Sequence, residues 1–125
     1  MAKAKKKAKT KLYLAVYLGK PSAMRKFEKL SPKVRREKEM AGMQGWMGWA
    51  RKNGRAIADM GGPLGTTKRI SRRGIANIAN ELGAFTVVRA KSHAEAAKMF
   101  RNHPHFTIFP GESVEVMEIL PIPRM

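Results

Sequence analysis

The chain contains no cysteine. Disulfides, thiolate metal sites and cysteine nucleophiles are excluded with it, and the absence fits a cytoplasmic protein. Acidic side chains are scarce: 9 Asp and Glu face 26 Lys and Arg, a formal net charge of +17. Six lysines (Lys3, Lys5, Lys6, Lys7, Lys9 and Lys11) crowd the first eleven residues, but the basic excess persists through the rest of the chain. Such a field attracts polyanions and anionic ligands without sequence preference. Aromatic residues make up 7%. Only Phe27, Trp46, Trp49 and Phe100 stand near basic clusters, too few for a base-stacking platform. No apolar run approaches the ~20 residues of a membrane helix, so no membrane partner is expected. The run Leu12–Leu18 follows a basic start as a signal peptide would. It is short, alternates like a strand and is closed by Lys20-Pro21, which favours a cytoplasmic domain.

What is present suffices for one domain: 125 residues, 43% of them hydrophobic. Residues 1–11 are Lys/Ala-rich and cannot bury apolar surface, so they read as a disordered basic arm before a domain spanning 12–125. Leu12–Leu18 reads as a central strand with apolar side chains on both faces. A basic connector follows, with Phe27 and Leu30 as anchors. Ser31-Pro32 reads as N-cap and first helical residue, and Asn53-Gly54 as the stop of a helix reaching about Lys52. Val34, Met40, Met43, Met47 and Ala50 form its expected buried stripe, beside Trp46. Gly42, Gly45 and Gly48 lie near one face, where they suit tight packing on the sheet or the approach of a ligand.

Arg55–Met60 reads as a short strand and Asp59–Gly65 as a loop, because three glycines and a proline do not suit an element interior. Thr66–Ser71 is a plausible strand and Arg72-Arg73-Gly74 a turn. Ile75–Leu82 fits either a helical turn or an irregular segment. Ala84–Ala90 is a clear strand. Ser92 with Glu95 forms a capping box for a second helix, which Pro104 stops. Val114–Leu120 is the last strand. The order β, α, β, β, α, β is the ferredoxin-like split pattern, an α+β fold with a four-stranded antiparallel sheet and helices on one face. The exposed sheet face predicts a homodimer packed sheet to sheet.

The glycine segment Gly61-Gly62-Pro63-Leu64, the strand Gly83–Ala90, the Ser92-x-x-Glu95-Ala96 helix, the His103-Pro104 turn and the strand Val114-Glu115-Val116 together resemble the YCII-related (DGPF-like) family. The likeness spans residues 12–123. It implies the dimeric α+β barrel form of the fold, small cytoplasmic bacterial proteins and a pocket between helix and sheet. Most members have no assigned activity, some are thought to act on small molecules through a His/Asp pair, and others occur with sigma factors. The Asp-Gly-Pro-Phe stretch itself is absent here; Gly62-Pro63-Leu64 is the local match. The first long helix carries Trp46 and Trp49 and no histidine.

The candidate chemistry is a general base, His103, oriented by Asp59 or Glu118. His103 suits a structural cap or turn role better than a pocket role. Asp59 suits a loop-capping role, and Glu118 a buried ion pair with a residue such as Arg89. His105 reads as structural and His93 as inert. Trp46, Gly61, Gly62, Arg69 and Arg72 are candidate ligand contacts, the arginines for an anionic group. His-x-His is too thin for a metal site, and the glycine segment lacks a phosphate-loop ending, so neither metal nor cofactor is expected. The functional expectation is a protein binding a small anionic or aromatic molecule between helix and sheet, with or without turnover. The alternative is nucleic-acid binding or regulation through the basic arm, with Lys3, Lys5, Lys6, Lys7 and Lys9 as contacts.

Overall fold

A computed structural model describes residues 9–123. The first strand, β1 (Lys11–Leu18), has the expected alternation: Tyr13, Ala15 and Tyr17 are fully buried. A short helix, α1 (Pro21–Glu28), stands where a connector was expected. Pro21 starts it, and Arg25 and Lys26 in its last turn suit the negative end of the helix dipole. It lacks a side-chain cap and buries no residue, which explains its weak signature. The long helix α2 (Pro32–Lys52) begins as read, with the Ser31 hydroxyl accepting from the Val34 amide at 3.3 Å.

Its expected buried stripe is corrected. Met40, Met43 and Met47 are 63%, 56% and 50% exposed, and Val34 is also exposed. The inward side is instead Gly42 and Gly45, with Trp46 and Trp49 half-buried. A Cβ on Gly42 would lie 2.3 Å from the Phe109 ring, and one on Gly45 3.1 Å from Pro104. The glycines therefore bring α2 close to the segment around Pro104 and Phe109, not to the sheet. No methionine side chain could approach so closely, so the helix turns Met40, Met43 and Met47 outward and keeps Trp46 and Trp49 inward.

After a 3₁₀ turn (Gly54–Ala56), the strand β2 (Ile57–Pro63) runs through what was expected to be a loop. It is an edge strand whose register shifts twice, between Ile57 and Asp59 and between Asp59 and Gly62. Glycine and proline are tolerated there because an edge strand leaves half its backbone groups unpaired and bulges absorb irregularity. Gly61 has φ +68°, and its amide donates to Asp59 Oδ1 at 2.9 Å. A hairpin of β3 (Thr67–Ser71) and β4 (Gly74–Ile78) follows, so Ile75–Ile78 is strand and not a helical turn.

Next come β5 (Leu82–Ala90), the short helix α3 (His93–Lys98), a one-turn helix α4 (Pro104–Thr107) and β6 (Ser113–Glu118). Ser92 caps α3 by accepting from the Glu95 amide. The main sheet has the order β2-β5-β1-β6 with every pair antiparallel. This is the ferredoxin-like arrangement, with β3–β4 inserted as a separate two-stranded sheet. Helices α2 and α3 cover the face carrying Tyr13, Ala15, Tyr17 and Val88, which form one core with Ala90, Ala96 and Phe100. On the opposite face, Leu12 and Met117 are 42% and 40% exposed. Among the described residues, no helix is long and apolar enough to cross a membrane.

Candidate functional site

The layer between sheet and helices is filled by aromatic rings around Tyr17. Its ring centroid lies 4.9 Å from Trp46, 5.1 Å from His103, 5.3 Å from His105 and 6.1 Å from Phe100. The Thr86 hydroxyl donates to the Met60 carbonyl at 3.0 Å, so its oxygen accepts from the Tyr17 hydroxyl at 2.9 Å. This relay joins β1, β5 and β2 through the core. Burial pushes the Tyr17 phenol up to about 12, although the Thr86 bond pulls the other way. Trp49 Nε1 donates to the Met99 carbonyl at 2.7 Å and pins α2 to the end of α3.

His103 is completely buried in this layer, 4.5 Å from Trp46 and 4.7 Å from Trp49 between ring centroids. It is the N-cap of α4: its Nδ1 accepts from the His105 amide at 3.0 Å. That bond puts the proton on Nε2, which has no hydrogen-bond partner among the described residues. Burial, helped by the nearby His105, lowers its pKa to about 4. His105 donates from Nε2 to the Leu18 carbonyl at 2.7 Å, tying the turn to the end of β1. Burial depresses its pKa too, against the raising effect of its bonds to Leu18 and Ser113.

The catalytic triplet read from the sequence is not brought together. His103 has no carboxylate partner among the described residues. Asp59 is exposed in β2, opposite Val87, where it caps the Gly61 amide. Glu118 lies 3.9 Å from Lys11 Nζ, so its partner is Lys11 and not Arg89. Of the expected ligand contacts, Trp46 is packed into the aromatic layer, Gly61 and Gly62 lie within β2, Arg69 is on β3 and Arg72 is in the hairpin turn. Lys3, Lys5, Lys6 and Lys7 lie outside the described residues; Lys9 is exposed.

An open cleft of about 410 Å³ lies instead between α3 and β6. Ala97 and Phe100 form one apolar wall, Val114 and Val116 the other, and Phe106 reaches in from α4. Arg101, His93 and Ser113 supply the polar side, with Glu112 at the rim. His93 is held in place: its Nε2 donates to the Val116 carbonyl at 2.7 Å, and its ring stacks on Tyr13 at 5.4 Å. Nδ1 is then the remaining acceptor. Arg101 has no carboxylate partner among the described residues, whereas Glu112 at the rim pairs with Lys20 at 3.4 Å. A volume in this range, apolar walls and one free guanidinium suit a small flat molecule with an anionic group. Sequence reasoning missed both Arg101 and His93. Nothing in the local pattern shows that His93 meets a strand more than twenty residues on.

No family model and no curated protein matches this chain. Among solved structures it is similar to 5-chloro-2-hydroxyhydroquinone dehydrochlorinase (TftG) from Burkholderia phenoliruptrix AC1100, in complex with 2,5-dihydroxybenzoquinone. The match has 19% identity and a TM-score of 0.48, and covers 84% of this chain and 89% of the other.

Proposed function

We propose that this protein binds a small aromatic molecule bearing an anionic group in the cleft between α3 and β6, as a YCII-related domain. The observation that carries the proposal is Arg101, a guanidinium without a carboxylate partner among the described residues, beside Phe106 and the apolar walls. A bidentate contact from Arg101 to a carboxylate or phenolate would orient the molecule, and the Phe106 ring would lie against its flat face. His93 Nδ1 would accept a hydrogen bond from a hydroxyl group. His93, and not the buried His103, is the imidazole that a bound molecule reaches. Half-exposed Leu12 and Met117 on the open sheet face support the sheet-to-sheet homodimer as part of the same reading.

Benzoate and salicylate are suitable probes in calorimetric titration. Loss of a charge-assisted contact typically costs about 1.5–3 kcal/mol, so Arg101→Gln is expected to weaken binding by about tenfold or more. Arg101 is exposed, so the fold should be unaffected. Equal affinity in the wild-type chain and the variant, or no binding of either probe to the wild-type chain, contradicts the proposal.

A further inference from the structure

The β3–β4 hairpin takes no part in the cleft. It forms its own two-stranded sheet, and an isolated hairpin is marginal in water. Its composition is one-sided: Lys68, Arg69, Arg72 and Arg73 are all exposed, and no Asp or Glu occurs from Thr66 to Asn80. Ile70 and Ile75 face each other across the ladder and are 72% and 71% exposed. The base of the ribbon is braced by side chains: Lys68 Nζ donates to Asn77 Oδ1 at 2.7 Å, and Asn80 Nδ2 to Thr67 Oγ1 at 3.3 Å. The ribbon therefore holds its shape while presenting cations and two bare isoleucines.

From this placement we infer that the β3–β4 ribbon docks in the major groove of duplex DNA. Five-residue strands span roughly 17 Å at about 3.3 Å per residue. A major groove about 12 Å wide admits a two-stranded ribbon. Alternation places Lys68, Ile70, Ile75 and Asn77 on one face, with Arg69 on the other and Arg72 and Arg73 at the tip. The apolar pair meets base edges, where thymine methyl groups offer apolar contact, and the arginines reach phosphates on either side. Exposed isoleucines alone would equally suit a second copy of the chain. The local charge decides between them: in a two-fold contact the four cations of the ribbon would face the same four on the second copy with no acid between them, whereas a polyanion attracts them.

The test uses the full chain and fluorescence anisotropy on a mixed-sequence duplex of about 20 base pairs over a salt series. The ribbon variant changes Lys68, Arg69, Arg72 and Arg73 to Gln. A control of equal charge changes the exposed Lys26, Lys29, Lys33 and Lys38 to Gln. Each phosphate contact contributes about 0.9 to the slope of log affinity against log salt, so the ribbon variant is expected to lose about three of that slope and roughly a hundredfold in affinity at low salt. The control should change affinity by no more than about threefold. The inference is overturned if the wild-type chain does not bind the duplex, or if the ribbon variant loses no more than the control. It is also overturned if Ile70→Glu with Ile75→Glu converts a dimer to a monomer while the glutamine ribbon variant binds DNA like the wild-type chain. Circular dichroism melting of every variant checks that each is folded.

Discussion

Gly61→Ala is expected to destabilise the protein by about 3 kcal/mol, because two independent penalties meet at one atom. Gly61 sits at φ +68°, where an L side chain is strained by roughly 1 kcal/mol or more. A Cβ there would also fall 1.9 Å from the Phe85 carbonyl oxygen and 2.7 Å from its carbon. Those are backbone atoms of β5 and cannot rotate away, so β2 must move off the sheet. Its departure pulls the Met60 carbonyl from Thr86 and undoes the relay to Tyr17. Urea denaturation is the measurement: the midpoint should fall while the slope keeps its wild-type value. A loss below about 1 kcal/mol contradicts this account of the bulge.

The second large effect is acid destabilisation through His103. Its pKa is lowered from 6.5 to about 4 in the folded state, because burial disfavours the charged ring. The unfolded chain binds that proton more readily. Stability from this group is therefore complete above pH 6.5 and is lost as pH falls from 6.5 towards 4. A shift of this size corresponds to about 3 kcal/mol lost over that window. His105 adds to the loss in the same direction, since its pKa is also lowered. The comparison variant is His103→Asn, which keeps a side-chain oxygen for the α4 N-cap but does not titrate. Its stability should fall less steeply than wild type between pH 6.5 and 4. A wild-type stability that is level across this window would remove His103 from the acid response.

Much of the scaffold was legible in the sequence for local reasons. The alternation of Tyr13, Ala15 and Tyr17, the Ser31-Pro32 start of α2, the Ser92 cap and the strand read as Ala84–Ala90, which extends back to Leu82, depend on neighbours in the chain. With their order, they lead to the ferredoxin-like sheet. Which face α2 buries was not legible. The methionine spacing imitates a core stripe, and only the closeness of Phe109 and Pro104 shows why the glycine side wins. The strand through Gly61, Gly62 and Pro63 was hidden because composition suits a loop, while an edge position permits a bulged strand.

The site was less legible still. His103-Pro104 repeats the cap-then-proline pattern of Ser31-Pro32, and that signal points to an N-cap in place of a base. Its burial under Trp46 and Trp49 depends on contacts more than fifty residues apart. His93 is similar: its role depends on the Val116 carbonyl and the Tyr13 ring, both remote in sequence.

The most direct test of the cleft is an amide chemical-shift titration of the isotopically labelled chain with salicylate. The account predicts saturable shifts clustered at Ala97, Arg101, Phe106, Val114 and Val116, with little change at Gly61, Gly62 and the amides of β2. Shifts concentrated around Asp59 and Gly61, with the α3–β6 residues unmoved, would contradict it.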